Sequence, residues 1–541
     1  MTNARVRVCL SFLLLLLVPN GLLSQAHAPA PPPPPGAKTA VCKGRVVPQL
    51  LDITAKTGIK FHHDSAPEKK YIVESMSGGV LVIDYDRDGW PDIYFTNAPT
   101  VEMAIRNQKA RSALFHNNHD GTFTDVTDKA GVATPCFAMG GAVGDYNNDG
   151  WPDMAITCLG HTILYRNNGD GTFTDVTQKA GIDDPRWSTG AAFGDYDGDH
   201  NNGDGTFTEV GKQAGVSDPD GFFGLGVVFA DFNNSGRPDI YVADDSTPNL
   251  LYRNEGKGKF AEIGIESGTA VSADGSEQGS MGIAVGDFNH TGRPSLYVTN
   301  FADEYNALYV NQGNYDFRDA SYEAGIGLAS LPWIKWGDAF ADIDNDGWLD
   351  LIAVNGHVYP QVDSLPSGAR YRQPKNFFLN ERNGTFCDAS SQGGAALQQP
   401  RVSRGLAMAD LDNDGNVDFV VEDIDGEPMI LHNQGMAGTH WVSFELAGTT
   451  SNRLAIGARI KLTAGGMTQT AEVQSGGSYL SQHDLRVHFG LATAAKIDAV
   501  EIRWPSGKAE TLTNVAADRF YAVLEGSGIV DREKIVPMKK P

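Results

Sequence analysis

Short apolar runs bounded by glycine and aspartate recur along most of the chain. Residues 78–85 (GGVLVIDY), 140–146 (GGAVGDY) and 224–232 (GLGVVFADF) each lead into an acidic loop, and apolar stretches at 91–97, 152–158 and 238–244 follow it. Runs of this length with such boundaries predict buried strands. A second pattern, NNHDGTFTDVT at Asn117, recurs at Asn167 and Asn201 and more loosely at Asn254, Asn311 and Asn380. It sets a tight Gly turn between two further strands, as in a hairpin. Each unit therefore reads as four antiparallel strands, A to D, with the acidic loop between A and B and the Gly turn between C and D.

The distance from the second pattern to the next acidic loop stays between 28 and 33 residues, which marks repeated supersecondary units. Seven acidic loops begin at Asp84, Asp145, Asp195, Asp231, Asp287, Asp342 and Asp410. The expected fold is all-β, a seven-bladed β-propeller whose third blade is truncated. From loop to second pattern repeat 2 uses 22 residues, whereas repeat 3 uses six, from Asp195 to Asn201, and has His200 at the loop glycine. Strands B and C are missing there. A two-stranded third blade and a ring nearer six and a half blades both fit, as do a true deletion and a sequence error. Beyond the propeller, HWVSFEL, ARIKLTA, TAEVQS, LRVHFGL, AVEIRWP and RFYAVLE alternate as short strands, predicting a small β-sandwich or barrel-like domain.

The loops carry the candidate chemistry. Asp-x-Asp-x-Asp-Gly-x-x-Asp sets side-chain oxygens at positions 1, 3, 5 and 9, with a backbone carbonyl expected at 7. Such a cluster of hard oxygens suits Ca²⁺ better than Mg²⁺. The fullest sets are Asp84, Asp86, Asp88 and Asp92; Asp342, Asp344, Asp346 and Asp350; and Asp410, Asp412, Asp414 and Asp418. Asp145, Asn147, Asp149 and Asp153 should also bind, and Asp231, Asn233, Ser235 and Asp239 more weakly. The fifth loop ends in Ser295 and the third is truncated, which leaves both doubtful as ligand sets. An EF-hand is excluded by the flanking strands and by Phe95 and Ala353 where its twelfth-position Glu would stand. A single such loop reads equally as an ordinary Asp/Asn turn, but several copies with four oxygen side chains each do not. Several structural Ca²⁺ ions are therefore expected as cofactors.

Composition sharpens this picture. The 541 residues hold 67 acidic against 43 basic side chains, a net charge of −24, which disfavours nucleic acid and anionic membranes as partners. Arg5 and Arg7, the apolar stretch from Val8 to Val18 and Ala26-His27-Ala28 read as a secretory signal with cleavage near Ala28. That stretch is shorter than the roughly 20 residues of a spanning helix. No membrane span is expected in the mature chain, and the location is secreted or periplasmic. The expected domains are a signal at 1–28, a Pro-rich linker at 29–41, the propeller at 42–436, a β-domain at 437–526 and a tail at 527–541. Four cysteines remain after the signal and allow three pairings. Cys136 and Cys158 flank one A–B hairpin, which favours a disulfide between them.

At these loops and strands, from Val46 to Gln434, the chain resembles the FG-GAP/VCBS repeat proteins, whose members include the integrin α-subunit propellers. Segments HWVSFELAG, NRLAIGARIKLTAGG, GGSYLSQHDLRVHFGLA and VEIRWPSGKAETL resemble the ASPIC/UnbV domain of cartilage acidic protein and its bacterial relatives. The resemblance implies an extracellular or periplasmic Ca²⁺-binding protein. No nucleophile elbow, HExxH, P-loop or Rossmann fingerprint occurs, and no catalytic residue is singled out. The expected role is a binding or adhesion module for a protein or glycan. It would use the face opposite the acidic loops, where the long link holding His357 and Tyr359 projects. The alternatives are a Ca²⁺-dependent extracellular hydrolase or lyase at the mouth of the propeller channel, and a purely structural surface protein. Trp333 and Trp336 are expected between blades, Met139-Gly140 and Met281-Gly282 at close contacts near the axis, and His62-His63 at a polar strand end.

Overall fold

The structure is a computed structural model that describes residues 39–198, 205–217 and 221–537. The expected signal at 1–28, most of the Pro-rich linker and His200 lie outside the described residues. Six four-stranded antiparallel sheets form the blades. Blade 1 consists of Val80–Ile83, Asp92–Phe95, Ala113–Asn117 and Phe123–Asp125. The A strands of the other blades are Ala138–Gly144, Gly224–Ala230, Ser280–Gly286, Lys335–Ala341 and Ser403–Ala409. The A strands of blades 4, 5, 6, 7, 1 and 2 adjoin one another in that order, blade 7 meeting blade 1. Blade 7 takes its outermost strand, Leu50–Asp52, from the start of the chain, pairing Leu51 with His432. That closes the ring with its first and last segments in one sheet, which leaves few edges open.

Among its described residues the truncated repeat forms no blade. Residues 189–198 contain no strand, so neither the two-stranded blade nor a normal sheet is present among the described residues. The segment still fills the gap between blades 2 and 4. The Phe193 ring lies where a Cβ on Gly144 would stand, at 2.3 Å, and the Phe229 ring likewise covers Gly194 at 2.7 Å. Glycine at both positions admits an aromatic ring in place of a missing sheet.

The C-terminal domain is a sandwich of two four-stranded sheets. One holds His440–Ala447, Val487–Ala492, Arg519–Leu524 and Gly528–Val530; the other holds Arg459–Ala464, Met467–Glu472, Ile497–Arg503 and Ala509–Leu512. Phe444, Ile460, Leu462, Phe489, Val500 and Trp504 share its core. The tail expected from residue 527 is a correction: Gly528–Val530 is the edge strand, and Ile535 packs beneath it.

The domain's segment Gln474–Asp484 runs down the propeller axis. Gly141 N–H donates to the Leu480 carbonyl (3.3 Å), Ser478 and Ile283 exchange backbone bonds, and Asp338 N–H donates to Ser478 Oγ (3.0 Å). Leu81 bridges to Gln482, Val228 bridges to Gly476, and Met408 N–H donates to His483 Nδ1. At the tip the Tyr479 hydroxyl donates to the Met76 carbonyl at 2.6 Å, and its ring meets Trp336 at 4.9 Å. Met139 and Met281 belong to the same buried cluster, and Trp336 lies in it rather than between blades alone. Gly140 is required at the axis, because a Cβ there would lie 2.2 Å from the Leu480 carbonyl oxygen. Two disulfides are present, Cys136–Cys158 across the A–B hairpin and Cys42–Cys387 joining the chain start to blade 6.

Each complete blade is bolted to the repeat before it by the asparagine that opens the second repeat pattern or its equivalent. Asn311 Nδ2 donates to the Phe232 carbonyl of blade 4 (2.9 Å) and to Pro294 of its own blade (3.0 Å). Asn117, Asn167, Asn254, Asn380 and Asn433 reach back in the same way to Leu411, Tyr85, Tyr196, Phe288 and Ile343. Asn311 is buried, so Asn311→Ala leaves two inaccessible carbonyls without donors. The expected cost is about 2–4 kcal/mol, read as a lower urea midpoint with unchanged slope.

Candidate functional site

Six acidic loops share one backbone. The first-position carboxylate accepts the N–H groups of positions 5 and 6: for Asp84, those of Asp88 (2.9 Å) and Gly89 (3.0 Å); for Asp342, those of Asp346 (2.9 Å) and Gly347 (2.7 Å). Asp145, Asp231, Asp287 and Asp410 do the same. Position 4 is left-handed in every loop, at Arg87, Asn148, Asn234, His290, Asn345 and Asn413, and so is the glycine at position 6, with Gly89 at φ +96°. This conformation turns the side chains of positions 1, 3 and 5 inward, and glycine adopts it without a Cβ penalty. The ninth-position aspartate closes the loop: Asp92 accepts from Tyr85 N–H and from Asn117 N–H.

Like charges are thereby packed together, wholly buried in blade 6 and with exposed members in blades 1 and 7. Asp84, Asp86 and Asp88 converge in blade 1, Asp342, Asp344 and Asp350 in blade 6, and Asp410, Asp412 and Asp414 in blade 7, each set offering oxygens within 4.8 Å of one another. Burial, then neighbouring carboxylates, pushes Asp342 and Asp350 well above the ordinary carboxylate range. Burial foremost raises Asp145 to about 7, Asp239 to about 7 and Asp410 to about 8. One oxygen each of Asp344 and Asp412 is inaccessible and accepts no hydrogen bond. Crowded, desolvated carboxylates with unused lone pairs fit a hard divalent cation. In blade 2 Asn147 Nδ2 turns instead to Asp149 (3.1 Å), and in blade 5 Ser295 Oγ replaces the ninth-position carboxylate in accepting Asn311 N–H. In the third loop Asp195 accepts from Gly198 N–H.

The chain supplies its own cations at the rims. Arg45, three residues from the Cys42–Cys387 bridge, places Nη2 2.6 Å from Asp344 and 2.9 Å from Asp346, and Arg382 also binds Asp346. The third and fifth positions of the blade 6 loop are thus partly neutralised from within. The C-terminal domain touches the loop of every complete blade. Arg532 pairs with Asp84 and Arg503 with Asp231, both at 2.5 Å. Arg453 N–H donates to Asn148 Oδ1, Arg459 to the Gly292 carbonyl, His488 to Asn345 Oδ1 and Arg486 to Asn413 Oδ1. The domain therefore caps the acidic-loop face.

His357 and Tyr359 lie at the other end of the axis, both half-buried. The His357 carbonyl accepts from Arg404, and burial lowers its imidazole to about 4, so it is neutral at physiological pH. Tyr359 packs on the axial cluster. The pair borders the axis more than it projects from it. His63 is fully buried, bonded to Ser77 Oγ (3.1 Å) beside Glu422, which corrects the expected polar strand end. Sequence reasoning passed over the asparagine bolts, although their fixed place in the repeat marked them. It also passed over His116 and His432, one residue before the bolts.

A family model described as an FG-GAP-like repeat matches residues 84–156, 145–201, 200–242 and 231–298, and one described as ASPIC and UnbV matches 448–530. Cartilage acidic protein 1 of Xenopus tropicalis is 28% identical over 312 residues, 56% of this chain and 44% of that protein; the Homo sapiens protein is 27% identical over the same length and shares. The matched stretch spans less than half the length of these relatives. An Agrocybe aegerita lectin, described as recognising non-reducing terminal N-acetylglucosamine, aligns over 67% of this chain and 78% of its own at 17% identity, with a TM-score of 0.31, too low to bear on function. Propeller, cap and family matches together place this chain among the FG-GAP repeat proteins that carry a C-terminal ASPIC/UnbV domain.

Proposed function

We propose that the protein is an exported, Ca²⁺-stabilised propeller that binds a protein or glycan through the face opposite its acidic loops. The observation that carries this reading is the capped geometry. The C-terminal domain covers the loop face and Gln474–Asp484 fills the axis, so the B–C and D–A links form the broad open surface. Large apolar side chains are exposed there: Ile72, Ile105 (75% exposed), Leu159, Trp187, Phe223 (66%) and Leu365. Several such residues on one face suit recognition more than solvation. Two disulfides support a location outside the reducing cytoplasm. No helix among the described residues is long and apolar enough to cross a membrane.

Ca²⁺ would be held by the loop carboxylates, chiefly those of blades 1, 2, 6 and 7, and would supply only charge neutralisation. The hydrolase or lyase reading needs an open axial mouth, which the inserted segment occupies. The shifted acid–histidine cluster away from the loops, His63 with Glu422, is fully buried and meets no solvent. The test is a glycan and protein array probed with and without chelator, using wild type and a Phe223→Asp/Leu365→Asp variant. Ca²⁺-dependent hits lost in the variant support the reading. Hits that survive the variant, or none that depend on Ca²⁺, would sink it.

A further inference from the structure

Blades 1 and 7 meet at the seam of the ring, and they alone among the complete blades carry a histidine before the asparagine bolt. The residue is His116 in blade 1 and His432 in blade 7, against Arg166, Arg253, Val310 and Leu379 in blades 2, 4, 5 and 6. Both imidazoles reach into their acidic loops in the same way. His116 Nδ1 lies 3.1 Å from Asp92 Oδ1 and 3.8 Å from Asp86 Oδ2. His432 Nδ1 lies 3.1 Å from Asp418 Oδ1 and 3.7 Å from Asp412 Oδ2. The ninth-position aspartates they face are fully buried.

A histidine–aspartate hydrogen bond accounts for the 3.1 Å contacts. It does not account for the buried Asp412 oxygen that accepts no hydrogen bond, in a set whose three donor atoms lie within 4.8 Å of one another. Three donors around one ion do. With metal–ligand bonds of about 2.0–2.2 Å, the edges of a tetrahedral or octahedral shell are about 3.0–3.5 Å long. Imidazole nitrogen is a poor partner for Ca²⁺ and a good one for borderline transition ions. We propose that blades 1 and 7 each take a divalent transition ion of the zinc class, through His116, Asp86 and Asp92 and through His432, Asp412 and Asp418, while the all-oxygen loops take Ca²⁺. This rests on the reading of the loops as cation sites and changes the ion at two of them. The placement has a physical consequence. His432 pairs across the sheet with Leu51 of the closing strand, Asn117 bonds to the Leu411 carbonyl, and Asn413 bonds to the Gly89 carbonyl. Two ions there would pin the seam.

The test uses the full mature chain freed of metal and titrated with Co²⁺ in excess Ca²⁺, followed by visible absorption, with Ca²⁺ uptake measured separately by calorimetry. Two equivalents of Co²⁺ that Ca²⁺ does not displace are expected, falling to one in His116→Gln or His432→Gln and to none in the double variant. Ca²⁺ uptake by the other loops persists in each. Should the double variant not fold, X-ray absorption of the wild-type Co²⁺ form is expected to show imidazole scattering. Displacement of Co²⁺ by Ca²⁺, Co²⁺ binding indifferent to both histidines, or a cobalt shell of oxygen alone would overturn the proposal. Absent Ca²⁺ uptake with both Co²⁺ equivalents intact would overturn the Ca²⁺ reading and leave this one standing.

Discussion

Stripping divalent ions from the protein is expected to lower its unfolding temperature steeply at pH 8 and much less at pH 5. The loops of blades 1, 2, 6 and 7 hold carboxylates that repel one another and a first-position aspartate that has lost water, so the metal-free fold favours its protonated form. Burial raises Asp145 to about 7 and Asp410 to about 8, and lifts Asp344 and Asp418 to about 6, from ordinary values near 3.8 in the unfolded chain. Between those limits the folded state holds more protons than the unfolded one. Stability linked to these groups is therefore complete below about pH 4 and is lost as pH rises through 6 to 8. A bound cation replaces the protons and removes that loss. One site held at 100 times its Kd contributes about 2.7 kcal/mol, and several sites act together. Thermal melts with and without chelator at the two pH values provide the measurement. Equal melting temperatures in all four samples would contradict the account of the loops as cation sites.

Truncating the axial tip is the second change expected to have a large effect. Tyr479 is fully buried against Trp336 among side chains drawn from several blades. Tyr479→Ala opens a cavity where the blades converge, at a cost of about 3–5 kcal/mol for loss of a buried aromatic ring. It also leaves the Met76 carbonyl without its donor. Tyr479→Phe keeps the ring and is expected to cost only about 1 kcal/mol. Urea unfolding of both variants separates packing from the hydrogen bond. Matching midpoints for Tyr479→Ala and wild type would show that the segment does not hold the blades together.

Much of this molecule is local and therefore legible. The nine-residue acidic loops carry their own turn chemistry, so six copies adopt one backbone wherever they fall. Apolar runs flanked by Gly and Asp gave the strands, and the missing residues between Asp195 and Asn201 gave the lost blade. The fate of that blade was not legible, because it depends on whether neighbouring rings can fill the gap, as Phe193 does against Gly144. The asparagine bolts recur visibly, yet the acceptors that make them bolts lie in the preceding repeat. His116 and His432 follow Asp92 and Asp418 by 24 and 14 residues, and only strand pairing brings each to its aspartate.

Periodicity in the chain specifies which backbone each repeat adopts, since turn residues and alternating apolar positions act over a few neighbours. It also determines that three or four carboxylates crowd into the loops of blades 1, 2, 6 and 7. Only the tertiary structure decides that a glycine-rich stretch of the last domain, residues 474–484, threads the axis and that arginines of the same domain meet the loops. Those contacts join residues 73 to 448 positions apart, and their energy comes from shape and charge matched across surfaces that no local pattern encodes.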